Sequence, residues 1–178
     1  VYEGKELRVS ASVGIALFPQ DSSEIEPLMK QADTALYHAK NAGRGVYSYF
    51  TESMSVRADQ RLRMERDLRI ALSEQQLFLV YQPKVLLPAR RIVGVEALVR
   101  WQRPGHPELI PPALFIGVAE RSNLIVELDR WVITAVTRQI RAWNDDPYLA
   151  HIPVAINVSR RHLAHDHFVQ HVLQPIDN

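Results

Sequence analysis

Apolar and polar positions alternate from Leu7 to Leu17. Leu7, Val9, Ala11, Val13, Ile15 and Leu17 share one face, and Arg8, Ser10, Ser12 and Gly14 share the other. A period of two predicts a half-buried strand, ended by Pro19 and Asp21. Ser23, with Glu26 three residues on, reads as a capping box. Ile25, Leu28, Met29, Ala32, Ala35, Leu36 and Ala39 then recur at helical spacing. Gly43 suits the left-handed turn that closes such a helix. Residues 45–50 predict a second short strand. Residues 51–75 hold no Gly or Pro and set Arg61, Arg63, Glu65, Arg66, Asp67 and Arg69 around Leu62, Leu68 and Leu72. That is the pattern of a solvated helix joining two units.

The second half has a different rhythm. Residues 78–87 are an apolar run that contains Pro83, which places it at a sheet edge or in an irregular position. Residues 91–101 make a stronger strand. A loop with four prolines (101–112) leads to a short helix over 112–120. Ile125 to Trp143 predicts a long helix whose stripe is Ile125, Leu128, Val132, Ala135, Val136, Ile140 and Trp143. Residues 153–159 read as a buried strand, and Ser159 as the N-cap of a last helix. Tyr37, Trp101, Trp131 and Trp143 fit core packing at these spacings. Strands alternating with helices predict an α/β fold with a parallel sheet or barrel.

Composition narrows the function. The 178 residues carry 21 Lys+Arg and 20 Asp+Glu, a formal charge of +1, which excludes the strong basic excess of a non-specific nucleic-acid binder. With no cysteine there is no disulfide framework, thiolate metal site or Cys nucleophile. No apolar run reaches the roughly 18 residues of a membrane span. The chain opens at Val1 on a strand-like run and closes at Asn178 after an amphipathic stretch, so both ends are expected to cut through domains.

Chemistry concentrates at a few positions. In the strand over 91–101, Val93, Val95, Ala97 and Val99 point one way and Gly94, Glu96, Leu98 and Arg100 the other. A carboxylate in an apolar strand is costly unless paired or bound to metal. Two readings follow: a Glu96–Arg100 ion pair, or Glu96 on a cation and Arg100 on an anion. Asn157 lies near the carboxyl end of an apolar strand, where barrel enzymes carry their chemistry. Its amide oxygen suits a hard cation, and capping the next helix is its plainer role. Residues 162–171 hold His162, His165, His167 and His171. On one continuous helix His162/His165 and His167/His171 form two pairs on nearly opposite faces, so four ligands do not converge; a zinc site on one pair is the lesser alternative and a solvated face the expectation. Lys40 and Arg44 bracket a helix end, where basic residues are favoured.

These residues together resemble a known family. Glu96-Ala97-Leu98 followed by Val99-Arg100-Trp101 is similar to the signature of EAL domains. Tyr81-Gln82-Pro83, the run from Trp101 through Phe115-Ile116 and Ala119-Glu120 to Leu124-Ile125, and Asn157-Val158-Ser159 resemble further family motifs, in order. Upstream, Ser12 to Ala16, Ala32 to Tyr37 and Ala39 to Gly45 resemble the closing third of a GGDEF domain. The resemblance implies residues 1–52 as the end of a GGDEF domain, 53–67 as a linker helix and 68–178 as the N-terminal part of an EAL domain. It implies a TIM-like (β/α) barrel with an irregular first strand. It implies a bacterial, cytoplasmic, metal-dependent phosphodiesterase that opens cyclic di-GMP to pGpG, or a degenerate relative acting as receptor or scaffold. Glu96 and Asn157 would be ligands of Mg²⁺ or Mn²⁺. Leu98 and Arg100 would contact the dinucleotide, with Gln82 near the site. Lys40 and Arg44 would touch GTP phosphates in the GGDEF remnant. The resemblance implies no nucleic-acid polymer as partner, and a homodimer through the EAL domain is a further expectation. Later family ligands and a catalytic Lys would lie beyond Asn178, so negligible hydrolysis is expected of the chain alone, with association through bare strand edges.

Overall fold

The computed structural model describes residues 9–177; Leu7 and Arg8 of the expected opening strand lie outside the described residues. The chain divides into two compact units, Val1–Arg63 and Met64–Asn178.

In the first unit, β1 (Val13–Ile15) and β2 (Tyr47–Tyr49) pair in parallel, with α1 (Ile25–Asn41) between them in sequence. The strand is shorter than the alternation predicts, and α1 packs on its polar face. A Cβ on Gly14 would lie 2.1 Å from the Ala32 carbonyl oxygen and 2.2 Å from the Leu36 nitrogen. Only glycine admits so close a helix, so the face with no side chain turns inward while Val13 stays half exposed. The cap also differs. Ser22, not Ser23, accepts the Glu24 N–H at 3.1 Å, and α1 begins at Ile25 without a capping box. Beyond the helix, Gly43, Arg44 and Gly45 all have positive φ, the left-handed close that the glycines predict. Lys40 and Arg44 are exposed, and Tyr37 is stacked under the Arg61 guanidinium, 4.2 Å away, instead of in the core.

In the second unit, β3 (Leu77–Leu86) and β4 (Arg91–Gln102) form an antiparallel hairpin. The expected parallel pairing appears between β4 and a later strand, but β3 enters the sheet antiparallel for a simple reason. Four residues join the strands, Arg90 closing the turn with positive φ and an N–H to Leu87, and so short a link cannot join parallel strands. Pro83 is tolerated because β3 lies at the sheet edge, and the register slips next to it, between Lys84 and Val85. β5 (Leu109–Ile110), inside the proline-rich loop, extends the sheet at Trp101 and Gln102. α3 (Pro112–Arg121) and α4 (Leu124–Trp143) then cross over to β6 (Val154–Ile156), which lies parallel to β4.

The core joins Trp101, Phe115, Ala119, Leu124, Ile125 and Leu128 to Leu68 and Ala71. Those last two come from α2 (Glu52–Ser73). The final turns of that charged helix are therefore core, not solvated. The structure is mixed α/β, with α4 burying the Ala97 side of β4 through Val132 and Val136.

Candidate functional site

The register of the sheet builds the site. Glu96 sits opposite Gln82 on β3 and Ala155 on β6. Registered residues share a face, and so do residues two apart. Asn157, just past β6, is therefore brought to the Glu96 side. Its Nδ2 donates to Glu96 Oε1 at 2.8 Å. The other carboxylate oxygen, Oε2, is 3.8 Å from the Lys84 ammonium. Glu96 thus pairs with Lys84, not with Arg100, and Asn157 does not cap the next helix. That role falls to Ser159, as the sequence predicts, whose hydroxyl accepts the His162 N–H.

Leu98 and Arg100 follow on the same face of β4. Together with Asn157, Ile116 and Glu120 they line a cleft of about 450 Å³. The Arg100 guanidinium donates to its neighbour's carbonyl, Val99, at 2.9 Å. Among the described residues no carboxylate pairs with it, so its fork can turn to a phosphate. Gln82 is exposed beside Glu96. Lys40 and Arg44 belong to the first unit and take no part in this cleft.

The donor set fits a hard divalent cation. Glu96 offers two carboxylate oxygens and Asn157 an amide whose two ends have nearly the same shape. Turned over, that amide presents Oδ1 where Nδ2 now lies. The Lys84 ammonium, 3.8 Å from Oε2, competes for that oxygen and gives way to an ion bound there. Carboxylate and amide oxygens are the ligands that Mg²⁺, Mn²⁺ and Ca²⁺ prefer.

Two supporting residues, Asp129 and Lys84, escape the sequence reading. Asp129 on α4 is buried, and its Oδ2 accepts the Ser159 N–H at 2.9 Å and hydroxyl at 2.6 Å. It thereby anchors the chain two residues after Asn157. His162 is fully buried behind it. Asp129 left one signal in the sequence. It falls on the apolar stripe with Ile125, Leu128, Val132 and Val136, where an unpaired carboxylate would be costly.

Comparison with known proteins identifies two families along the chain. The family described as "EAL domain" matches residues 65–178, and "Diguanylate cyclase, GGDEF domain" matches residues 2–46. Two curated relatives are similar along most of the chain. The bifunctional diguanylate cyclase/cyclic di-GMP phosphodiesterase MucR of Pseudomonas aeruginosa is 46% identical over 167 residues, covering 94% of this chain and 24% of its own length. The cyclic di-GMP phosphodiesterase PdeR of Escherichia coli is 45% identical over 159 residues, covering 89% of this chain and 23% of its own. The chain thus spans about a quarter of these relatives. A solved structure of the PaMucR phosphodiesterase in complex with c-di-GMP superposes with a TM-score of 0.59 at 42% identity, over 64% of this chain and 45% of that one. EAL structures of this kind are TIM-like barrels, and the present sheet and helices form part of one.

Proposed function

The chain belongs to the EAL domain family, with a GGDEF match ahead of it, and from that premise we propose that the whole protein of which these residues are part hydrolyses cyclic di-GMP to the linear dinucleotide pGpG, this chain alone supplying too few ligands to turn it over. The observation that carries this reading is the Glu96–Asn157 pair, joined at 2.8 Å across two parallel strands, with Leu98, Arg100 and Asn157 in one cleft.

Each residue has a chemical part. Glu96 and Asn157 hold a divalent cation, Mg²⁺ or Mn²⁺. Such an ion, when bound, supplies Lewis-acid stabilisation of the phosphodiester oxygens and lowers the pKa of water. Arg100 leaves the Val99 carbonyl and binds a phosphate through two parallel N–H donors. Leu98 packs against the apolar faces of the dinucleotide. Gln82, opposite Glu96 in the register, offers its amide to the same ligand. In the GGDEF remnant, which we place at residues 1–52 ahead of a linker at 53–67 and EAL residues 68–178, Lys40 and Arg44 face GTP phosphates. No described helix is long and apolar enough to cross a membrane.

Arg100 gives the direct test of the ligand. A charge-assisted hydrogen bond is worth about 1.5–3 kcal/mol, so Arg100→Ala should raise the Kd for cyclic di-GMP about 10- to 100-fold. Calorimetric titration of the intact protein in EDTA reads this without turnover. An unchanged Kd would take Arg100 out of the phosphate site.

A further inference from the structure

The four histidines do not lie on opposite faces of one helix. The helix breaks between α5 (Arg160–Leu163) and α6 (Phe168–Asp177). That break folds the imidazoles together. Ring centroids are 5.2 Å apart for His162–His171, 5.3 Å for His165–His171 and 5.8 Å for His165–His167.

His162 is the centre of the group and is wholly buried, edge-on to Phe168. A buried imidazole needs partners for both nitrogens. Its Nε2 lies 3.0 Å from His171 Nδ1. Its Nδ1 faces Asp129 Oδ2 at 3.4 Å, too long and poorly aligned for a full hydrogen bond. The cleft described above uses neither imidazole.

We propose that His162 Nε2 and His171 Nδ1 are a preset pair of ligands for a borderline transition-metal ion, Zn²⁺ above all, with Asp129 orienting His162 from behind. Two observations converge on this. First, Zn–N bonds of about 2.0–2.1 Å hold two donors on one ion about 2.9–3.4 Å apart, and this pair is 3.0 Å apart. Second, a carboxylate behind the far nitrogen is the usual orienting partner of a metal-bound histidine.

The pair does not complete a site by itself. Among the described residues no three ligating His, Cys, Asp or Glu side chains already converge. His165 is exposed, its ring 5.3 Å from that of His171, and a turn of its side chain supplies the third nitrogen. Solvent supplies the rest. Arg130 lines the same surface depression as His171 and is the charge that opposes the ion. The Asp129 carboxylate offsets it. Protons balance without loss. With His162 protonated at Nδ1 toward Asp129, the proton shared with His171 sits on His171 Nδ1. It moves through solvent to that residue's own Nε2 as the ion enters.

The site is chemically distinct from the Glu96 pair, since imidazoles favour Zn²⁺ and oxygens favour Mg²⁺ and Mn²⁺. Asp129 connects them. Its Oδ2 holds Ser159, so an ion on His162 would stiffen the chain just after Asn157.

Zinc titration of the metal-stripped intact protein by chelator competition tests this. Saturable binding with a Kd unaffected by excess Mg²⁺ is expected. His171→Gln should weaken it at least about a hundredfold and Asp129→Asn about 10- to 100-fold. His171 is only half buried, and circular dichroism of that variant confirms that the fold survives. Zinc binding that persists unchanged in His171→Gln, or that is lost in Glu96→Gln instead, would overturn the proposal. So would the absence of saturable binding.

Discussion

Replacing Glu96 with glutamine should lower turnover of cyclic di-GMP by the intact protein about a thousandfold. Metal-assisted charge stabilisation is worth several kcal/mol, and each 1.36 kcal/mol is a factor of ten. Glutamine keeps the size of the side chain and an oxygen that can still accept from Asn157 Nδ2, now at 2.8 Å. It removes only the charge. The fold should therefore survive while the cation loses its anionic ligand. Glu96 is also about one-third exposed, so its charge is not buried in a way that neutralisation would relieve strongly. Initial rates with the thermal melt recorded beside them check this. A rate within tenfold of the parent at an unchanged melting temperature would mean that Glu96 does not hold the cation.

Gly14→Ala carries the second large effect, and it acts on the fold. The new methyl would lie 2.1 Å from the Ala32 oxygen and 2.7 Å from the Leu36 Cα. Both are helix backbone, so no side chain can swing away. Either β1 leaves β2 or α1 moves off the strand. Overpacking a core costs about 1–3 kcal/mol when side chains can yield. Here the obstacle is main chain, so a cost at or above about 3 kcal/mol is expected by the same reasoning. Hydrogen exchange should show protection falling through Ile25–Asn41 and at the Phe50 N–H, which bonds the Ile15 carbonyl. Parent-like exchange across α1 would show that the strand and helix are less tightly opposed.

Local periodicity made the long elements legible. The stripe beginning at Ile125 foretold α4, and the strength of residues 91–101 foretold β4. What sequence could not supply was pairing. The same alternation fits a strand joined to its neighbour in parallel or as a hairpin, and the short link at residues 87–90 decided it. Nor does periodicity say which face of β1 receives a helix. The apolar face was the natural expectation, yet the missing side chain of Gly14 set the closest approach. The charged helix shows a third limit. Six charges around Leu68 read as solvated, but contacts with Trp101 and Phe115, far along the chain, buried it.

At the site, the sequence singled out Glu96, Arg100 and Asn157 as unusual polar residues on apolar strands. Their juxtaposition had to come from the β4–β6 register. The expected solvated face failed at His162, which is buried, because helical spacing was projected through a segment that breaks at residues 164–167. Asp129 was overlooked because its apolar neighbours on α4 masked it.

The central claim is catalysis of one reaction at the Glu96–Asn157 pair. Its most direct test is product analysis: the intact protein is incubated with cyclic di-GMP and Mg²⁺ or Mn²⁺, and the nucleotides are separated by chromatography. The account predicts that pGpG accumulates and that EDTA stops it. Cyclic di-GMP that binds at one equivalent and is recovered uncut with either metal would contradict it, leaving the cleft as a receptor for the dinucleotide.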